Sequence, residues 1–79
     1  MPNIIYTMKG CKYCTLAKEL FHRAKIDFVE MEVDEDITRE EVKELLQKDT
    51  ISFPQIIFEE RNVGGLVDAA KIFQDRGLV

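Results

Sequence analysis

The chain has 79 residues, 46% of them hydrophobic and 33% charged, with a formal net charge of −4. That length allows one domain with a narrow stability margin, and the acidic balance excludes a general nucleic-acid binder, which needs a basic face. No run is apolar for long enough to span a membrane, and Met1-Pro2-Asn3-Ile4 lacks the charged region and long apolar stretch of an export signal, so a soluble cytoplasmic protein is expected.

In chain order, Ile4, Ile5, Tyr6 and Thr7 form a short β-prone run. Gly10 interrupts it and two cysteines follow. From Thr15 the pattern turns helical, with Leu16, Ala17, Leu20, Phe21 and Ala24 recurring at three and four residues as one apolar stripe. Asp27 to Val33 reads as a strand, with Val29, Met31 and Val33 buried and Glu30 and Glu32 on a wet face. Thr38 with Glu41 makes a capping box and Ile37 with Val42 a hydrophobic staple, which predicts a second helix with Val42, Leu45 and Leu46 inward. Phe53-Pro54 opens a strand over Gln55 to Glu59, where a proline is tolerated because its missing N–H is not needed. Glu60-Arg61-Asn62 reads as a tight turn into a short strand ending at Gly64-Gly65. A last helix runs from about Val67 to Arg76, packed through Ala69, Ala70, Ile72 and Phe73 and stopped by Gly77. The order β-α-β-α-β-β-α predicts a single α/β domain over residues 1–79. Strands joined through a helix pair in parallel and the last two form a hairpin, giving a mixed four-stranded sheet flanked by three helices.

Cys11-Lys12-Tyr13-Cys14 falls where the first strand gives way to the first helix. A bond across three positions closes too short a loop to be a useful staple, so a chemical role is favoured over a structural one. A C-x-x-C in a βαβ context without an export signal reads as a redox dithiol in a reducing compartment. A helix N-terminus offers unpaired N–H groups and a partial positive charge, and both stabilise a thiolate; Lys9 and Lys12 add to this if they lie nearby. Cysteines so placed have pKa values lowered from ~8.5 to roughly 3.5–7.5, and the thiolate is the nucleophile of disulfide exchange. Cys11, the more exposed, is expected to attack; Cys14, one turn on and sheltered, to resolve. Zinc normally wants four ligands, whereas the chain offers two cysteines and His22, about 12 Å further along the helix at 1.5 Å per residue, so no metal is expected. Covalent haem needs histidine after the second cysteine, and Thr15 stands there. His22 is expected to be a half-exposed helix residue, and Glu30-Met31-Glu32 with the acidic run after it a solvated face.

Tyr6-Thr7, Cys11-Lys12-Tyr13-Cys14, Val33-Asp34, Phe53-Pro54-Gln55 and Gly64-Gly65 with Asp68, in this order, resemble the glutaredoxins over almost the whole chain, and the brevity resembles compact bacterial or phage forms. The resemblance implies a thioredoxin fold and a cis peptide before Pro54. It implies a glutathione-dependent disulfide oxidoreductase with catalytic Cys11 and Cys14 and no permanently bound cofactor. Glutathione, the co-substrate, would be held by Lys9, Tyr13, Phe53, Pro54, Gly65, Val67 and Asp68. The Phe53 backbone would pair with its cysteinyl part, and the N–H groups of Val67 and Asp68 would take the γ-glutamyl carboxylate. Departures from the family pattern stand at Met8, Thr50, Phe53 and Val67 and bear on substrate preference. Expected partners are glutathione and disulfide-containing or glutathionylated proteins, ribonucleotide reductase among the candidates, met by a monomer. Two rival readings stand beside this one, a redoxin served by thioredoxin reductase and an iron–sulfur cluster carrier; Lys12 argues against the second, whose members usually carry a small residue in the motif.

Overall fold

The computed structural model describes residues 2–79; Met1, the first residue of the N-terminal stretch read above, lies outside them. The elements are β1 (Ile4–Thr7), α1 (Lys12–Ala24), β2 (Val29–Glu32), α2 (Arg39–Leu46), β3 (Gln55–Phe58), β4 (Arg61–Gly64) and α3 (Leu66–Asp75). They form one four-stranded sheet in the order β2-β1-β3-β4. β1 pairs in parallel with β2 and antiparallel with β3, and β3 and β4 form the antiparallel hairpin. The predicted architecture is the observed one.

Period-2 alternation splits the sheet between two cores. Ile5, Ile56 and Phe58 face α1 and α3, meeting Ala17, Phe21, Ala69 and Phe73. Tyr6 faces α2 and meets Val33 and Val42, with Ile57, Leu46 and Phe53 around them. The first core is aromatic. Phe21 and Phe73 are fully buried, with ring centroids 5.0 Å apart, and Phe58 packs edge-on to both at 6.2 and 5.0 Å. Each such ring contributes about 1.5–3 kcal/mol by burial. Burial in the second core raises the Tyr6 pKa above its ordinary value.

Four local expectations need correction. β2 is an edge strand, and its burial does not alternate cleanly. Val29 is exposed, Glu30, Met31 and Glu32 are half-buried, and Val33, just past the strand end, is the buried residue. Leu45 is 62% exposed, because α2 is short and turns only Val42 and Leu46 to the sheet. Leu16 stays exposed at the outer edge of the α1–α3 contact. The β3–β4 turn is centred on Glu59-Glu60 at φ 53° and 69°, not on Glu60-Arg61-Asn62. Two positive φ values match a two-residue hairpin turn that usually selects Asn and Gly. Here the Asn3 side chain accepts from Glu59 N–H at 3.0 Å, and Arg76 pairs with the Glu59 carboxylate at 2.8 Å while stacking on Phe58.

The helix ends follow the sequence. Thr38 and Glu41 exchange both bonds of the capping box, at 3.1 and 3.0 Å. Gly77 at φ 71° closes α3, with Leu78 N–H reaching back to Phe73 O at 2.8 Å. The pairing brings three ends to one edge of the sheet. Tyr6 lies opposite Gln55, so the end of β1 meets the start of β3; Ile56 lies opposite Gly64, so the end of β4 arrives beside them.

Candidate active site

The cysteines lie at that edge. After β1 the chain turns over Gly10 at φ 74°, with Cys11 N–H bonded to Met8 O. Cys11 is the N-cap of α1, in extended conformation, and its Sγ accepts from Cys14 N–H at 3.1 Å. Sulfur thus takes the place that a serine or aspartate oxygen fills in other helices. No acidic residue stands in the first turn of α1 to oppose a negative charge on it. Cys11 and Cys14 form a disulfide with their Cα atoms 5.2 Å apart. Cys11 is partly exposed and Cys14 is 2% exposed, so an incoming group meets the first sulfur before the second.

The second wall is the loop before β3. The Phe53–Pro54 peptide is cis, Pro54 is buried, and Phe53 O lies 3.7 Å from Cys11 Sγ. Gln55 holds this loop from within: buried, it donates to Ser52 O at 2.7 Å and accepts from Asn62 Nδ2 at 3.4 Å. The third wall is the start of α3. Its first intrahelical bond runs from Ala69 N–H to Gly65 O, so the N–H groups of Leu66, Val67 and Asp68 point out of the helix end. Asp68 accepts from Gly65 N–H at 3.1 Å. Gly64 is held to glycine by its φ of 107°, and a Cβ there would also sit 2.6 Å from Asp68 Oδ2 and press that carboxylate off Gly65 N–H.

Tyr13, Phe53, Pro54, Gly65, Val67 and Asp68 line one open cleft of about 340 Å³. These are six of the seven residues assigned above to glutathione. Lys9, the seventh, is on the other side of Cys11, in a cleft shared with Met8, Lys12 and Cys14, where its Nζ is 3.7 Å from the Glu35 carboxylate. Tyr13 is 62% exposed and free to lie over a ligand. His22 is exposed and packs edge-on to Phe28, away from the cysteines.

Two features escaped the sequence reading. Glu30 is not simply solvated: its carboxylate accepts from Thr7 Oγ1 at 2.8 Å and from Lys18 Nζ at 3.1 and 3.2 Å, in the cleft that holds Cys14. Parallel pairing of β1 with β2 brings Thr7 and Glu30 together, which no local pattern encodes. Arg39, the first residue of α2, places its guanidinium 5.4 Å over the Phe53 ring and 3.9 Å from Met8 Sδ. A cation in the first turn of a helix runs against the dipole, and that mismatch was the available signal.

A glutaredoxin family model matches residues 3–63. A glutaredoxin of Neisseria meningitidis serogroup A is 37% identical over 75 residues, covering 94% of this chain and 87% of that one. The crystal structure of glutaredoxin 1 from Francisella tularensis, complexed with cacodylate, superposes with a TM-score of 0.77 at 28% identity, over 96% of this chain and 94% of that one. A buckwheat glutaredoxin–glutathione complex shares the fold, with a TM-score of 0.80 at 22% identity over 98% of this chain and 72% of that one. With a four-stranded mixed sheet, three helices and a dithiol at the junction of β1 and α1, the chain belongs to the glutaredoxin family of glutathione-dependent disulfide oxidoreductases, as a dithiol member.

Proposed function

We propose that Cys11 is the nucleophile of this oxidoreductase and that its co-substrate glutathione lies across the mouth of the cleft, from the start of α3 to Lys9 and Arg39. One observation carries the reading: six residues from three separate parts of the chain line a single cleft whose Phe53 carbonyl is 3.7 Å from Cys11 Sγ. In this arrangement the Phe53 backbone pairs with the cysteinyl residue of glutathione as a short added strand. The outward N–H groups of Val67 and Asp68 hold the γ-glutamyl carboxylate at a helix N-terminus. The Asp68 carboxylate faces the neighbouring ammonium, and Lys9 and Arg39 supply positive charge for the glycyl carboxylate. That a buckwheat glutaredoxin of the same fold forms a complex with glutathione supports glutathione as the ligand.

The chemistry follows from the two sulfurs. The Cys11 thiolate, stabilised by Cys14 N–H and the end of α1, attacks the glutathione sulfur of a mixed disulfide, and the other thiol leaves. A second glutathione then attacks the glutathione sulfur on Cys11 and restores the thiolate, releasing oxidised glutathione. For a protein disulfide, Cys14 attacks the Cys11 sulfur of the mixed intermediate, releasing the reduced protein and closing the Cys11–Cys14 bond. The protein acts as a monomer in a reducing compartment such as the cytoplasm, with disulfide-bearing proteins, ribonucleotide reductase among the candidates, as electron acceptors.

The test is reduction of a glutathionylated peptide, with glutathione reductase and NADPH reporting turnover. Cys11→Ser abolishes turnover and Cys14→Ser keeps it. Equal loss in both variants would show that the roles are assigned wrongly. An inactive wild type, folded and reduced, would refute glutathione as co-substrate; thioredoxin reductase would then be tried as the electron source.

A further inference from the structure

We infer that the groove between α1 and α3 is a docking track for the segment flanking the attacked cysteine of a protein substrate, and that the segment it fits carries an apolar residue followed by an acidic one. The inference rests on the proposed role of Cys11 as nucleophile. The groove is floored by Leu16, Leu20, Leu66, Val67 and Ala70. Leu66 and Val67 also line the cleft that holds Phe53 and Pro54, so the track adjoins the active-site cleft across these two residues. Val67 is 80% exposed, Leu16 37% and Tyr13 62%, an apolar surface that the α1–α3 packing leaves uncovered.

Helix geometry gives the track its direction and length. Tyr13, Leu16 and Leu20 recur at three and four residues, so they share one face of α1. Tyr13 stands at the cleft and Leu20 in the groove, seven residues or roughly 10 Å further along the helix. Three residues of extended chain span that distance at about 3.3–3.6 Å each. Leu16, at the near end of the floor, is five residues or roughly 7.5 Å along the helix from Cys11, so a chain tied to Cys11 through its own cysteine reaches the floor with a side chain two or three positions away. The far end is charged. Arg23 and Lys71 line the groove with Glu19, a net excess of one positive charge, and among the described residues neither cation is in an ion pair. On a chain of net charge −4 this excess of positive charge is local, and it complements an acidic residue beyond the apolar one.

The reaction served is the balanced exchange of the dithiol. The Cys11 thiolate attacks one sulfur of the partner disulfide, and the other leaves as a thiolate that takes a proton from water. Cys14, having lost its proton, attacks the Cys11 sulfur and releases the second partner thiol. Two electrons pass to the partner, and Cys11–Cys14 is left oxidised. Glutathione, a tripeptide, is too short to fill both the cleft and the groove, so the groove distinguishes substrates without touching the chemistry.

The experiment uses two homodimeric peptide disulfides of equal length, with turnover read through glutathione, glutathione reductase and NADPH. One has leucine and glutamate at the second and third positions after its cysteine; the other has serine and asparagine. The mixed disulfide of glutathione and 2-mercaptoethanol is the control that never reaches the groove. Wild type should prefer the first peptide by about tenfold in kcat/KM, the effect of half-burying one leucine. Leu16→Glu should bring that ratio near one and leave the control within about twofold. Equal rates on the two peptides in wild type overturn the proposal. If Leu16→Glu lowers all three rates together, Lys71→Glu decides: it should lower the preference for the acidic peptide alone, and an unchanged preference overturns the proposal. Failure of wild type on the control itself would refute the glutathione reading, a separate result.

Discussion

The two sides of Cys11 are built from different material. Toward α3 the surface consists of backbone and apolar groups: the Phe53 carbonyl, buried Pro54, the Gly64-Gly65 bend and the outward N–H groups of Val67 and Asp68. Toward β2 it consists of charged side chains: Lys9 on Glu35, Lys18 on Glu30, and Arg39 above Phe53 and Met8. Backbone recognition is set by the path of the chain and survives changes of side chain. Val67 and Phe53, read above as departures from the family pattern, both still line the cleft. The charged side depends on long, partly solvated side chains, each of which contributes little alone.

The contrast predicts that the largest losses come from bending the backbone. Gly64→Ala puts a methyl group 2.6 Å from Asp68 Oδ2 and forces a non-glycine residue to φ 107°. It should cost about 1–3 kcal/mol in urea unfolding, mostly from the strained backbone, and raise the KM for glutathione by about tenfold or more, because the Asp68 carboxylate must swing off Gly65 N–H. If Gly64→Ala turned over glutathionylated peptide normally, the α3 side would not be where glutathione is read. Arg39→Ala should be milder, with the KM for glutathione up about fivefold, roughly 1 kcal/mol for one solvated charge contact, kcat unchanged and the salt dependence of KM reduced. A loss in kcat instead of KM would place Arg39 nearer the reacting sulfurs than its contacts with Phe53 and Met8 indicate.

The same contrast explains what the sequence could disclose. Element order, the sheet and the dithiol were legible because each has a local cause: periodicity in α1, the capping box of α2, the proline that opens β3 and cysteine spacing at a strand–helix junction. The cleft was legible only through resemblance, since nothing in Phe53, Gly65 and Val67 themselves says that β1–β3 and β3–β4 pairing brings them to one edge. Glu30 was misread because its partners, Thr7 and Lys18, lie 23 and 12 residues away. The Glu59-Glu60 turn was misplaced because it is tied down at Glu59 by Asn3 and Arg76, from opposite ends of the chain, which no local pattern encodes.

Glu30→Gln sharpens the comparison from the charged side. It keeps an acceptor for Thr7 but removes the charge that Lys18 meets across 3.1 Å, with both side chains about one-third exposed. Screening at that exposure limits the expected loss to about 0.5 kcal/mol, with kcat and KM for glutathionylated peptide unchanged. A change in the pH profile of turnover, with stability intact, would instead make Glu30 a participant in handling the Cys14 proton.

The smallest effect is a pH dependence of α2, the helix that carries Arg39 to the edge of the site. The bond from Thr38 N–H, followed by the one involving the Thr38 side chain, lowers the Glu41 pKa below its ordinary value. The carboxylate is therefore bound more favourably in the folded protein than in the unfolded chain. Its contribution is fully present above the unfolded pKa and is lost as pH falls through the folded one. Lowering the pH from neutral to below the ordinary carboxylate range should thus fray the first turn of α2 and loosen Arg39 from Phe53, while the backbone-built side of the cleft keeps its form. Glu41→Gln retains a side-chain acceptor for Thr38 N–H but cannot titrate. Thermal melts of wild type and variant across that range should converge toward acid, with wild type the more stable only at the neutral end. A constant gap at every pH would mean that the charge on Glu41 contributes nothing and that the cap works by hydrogen-bond geometry alone.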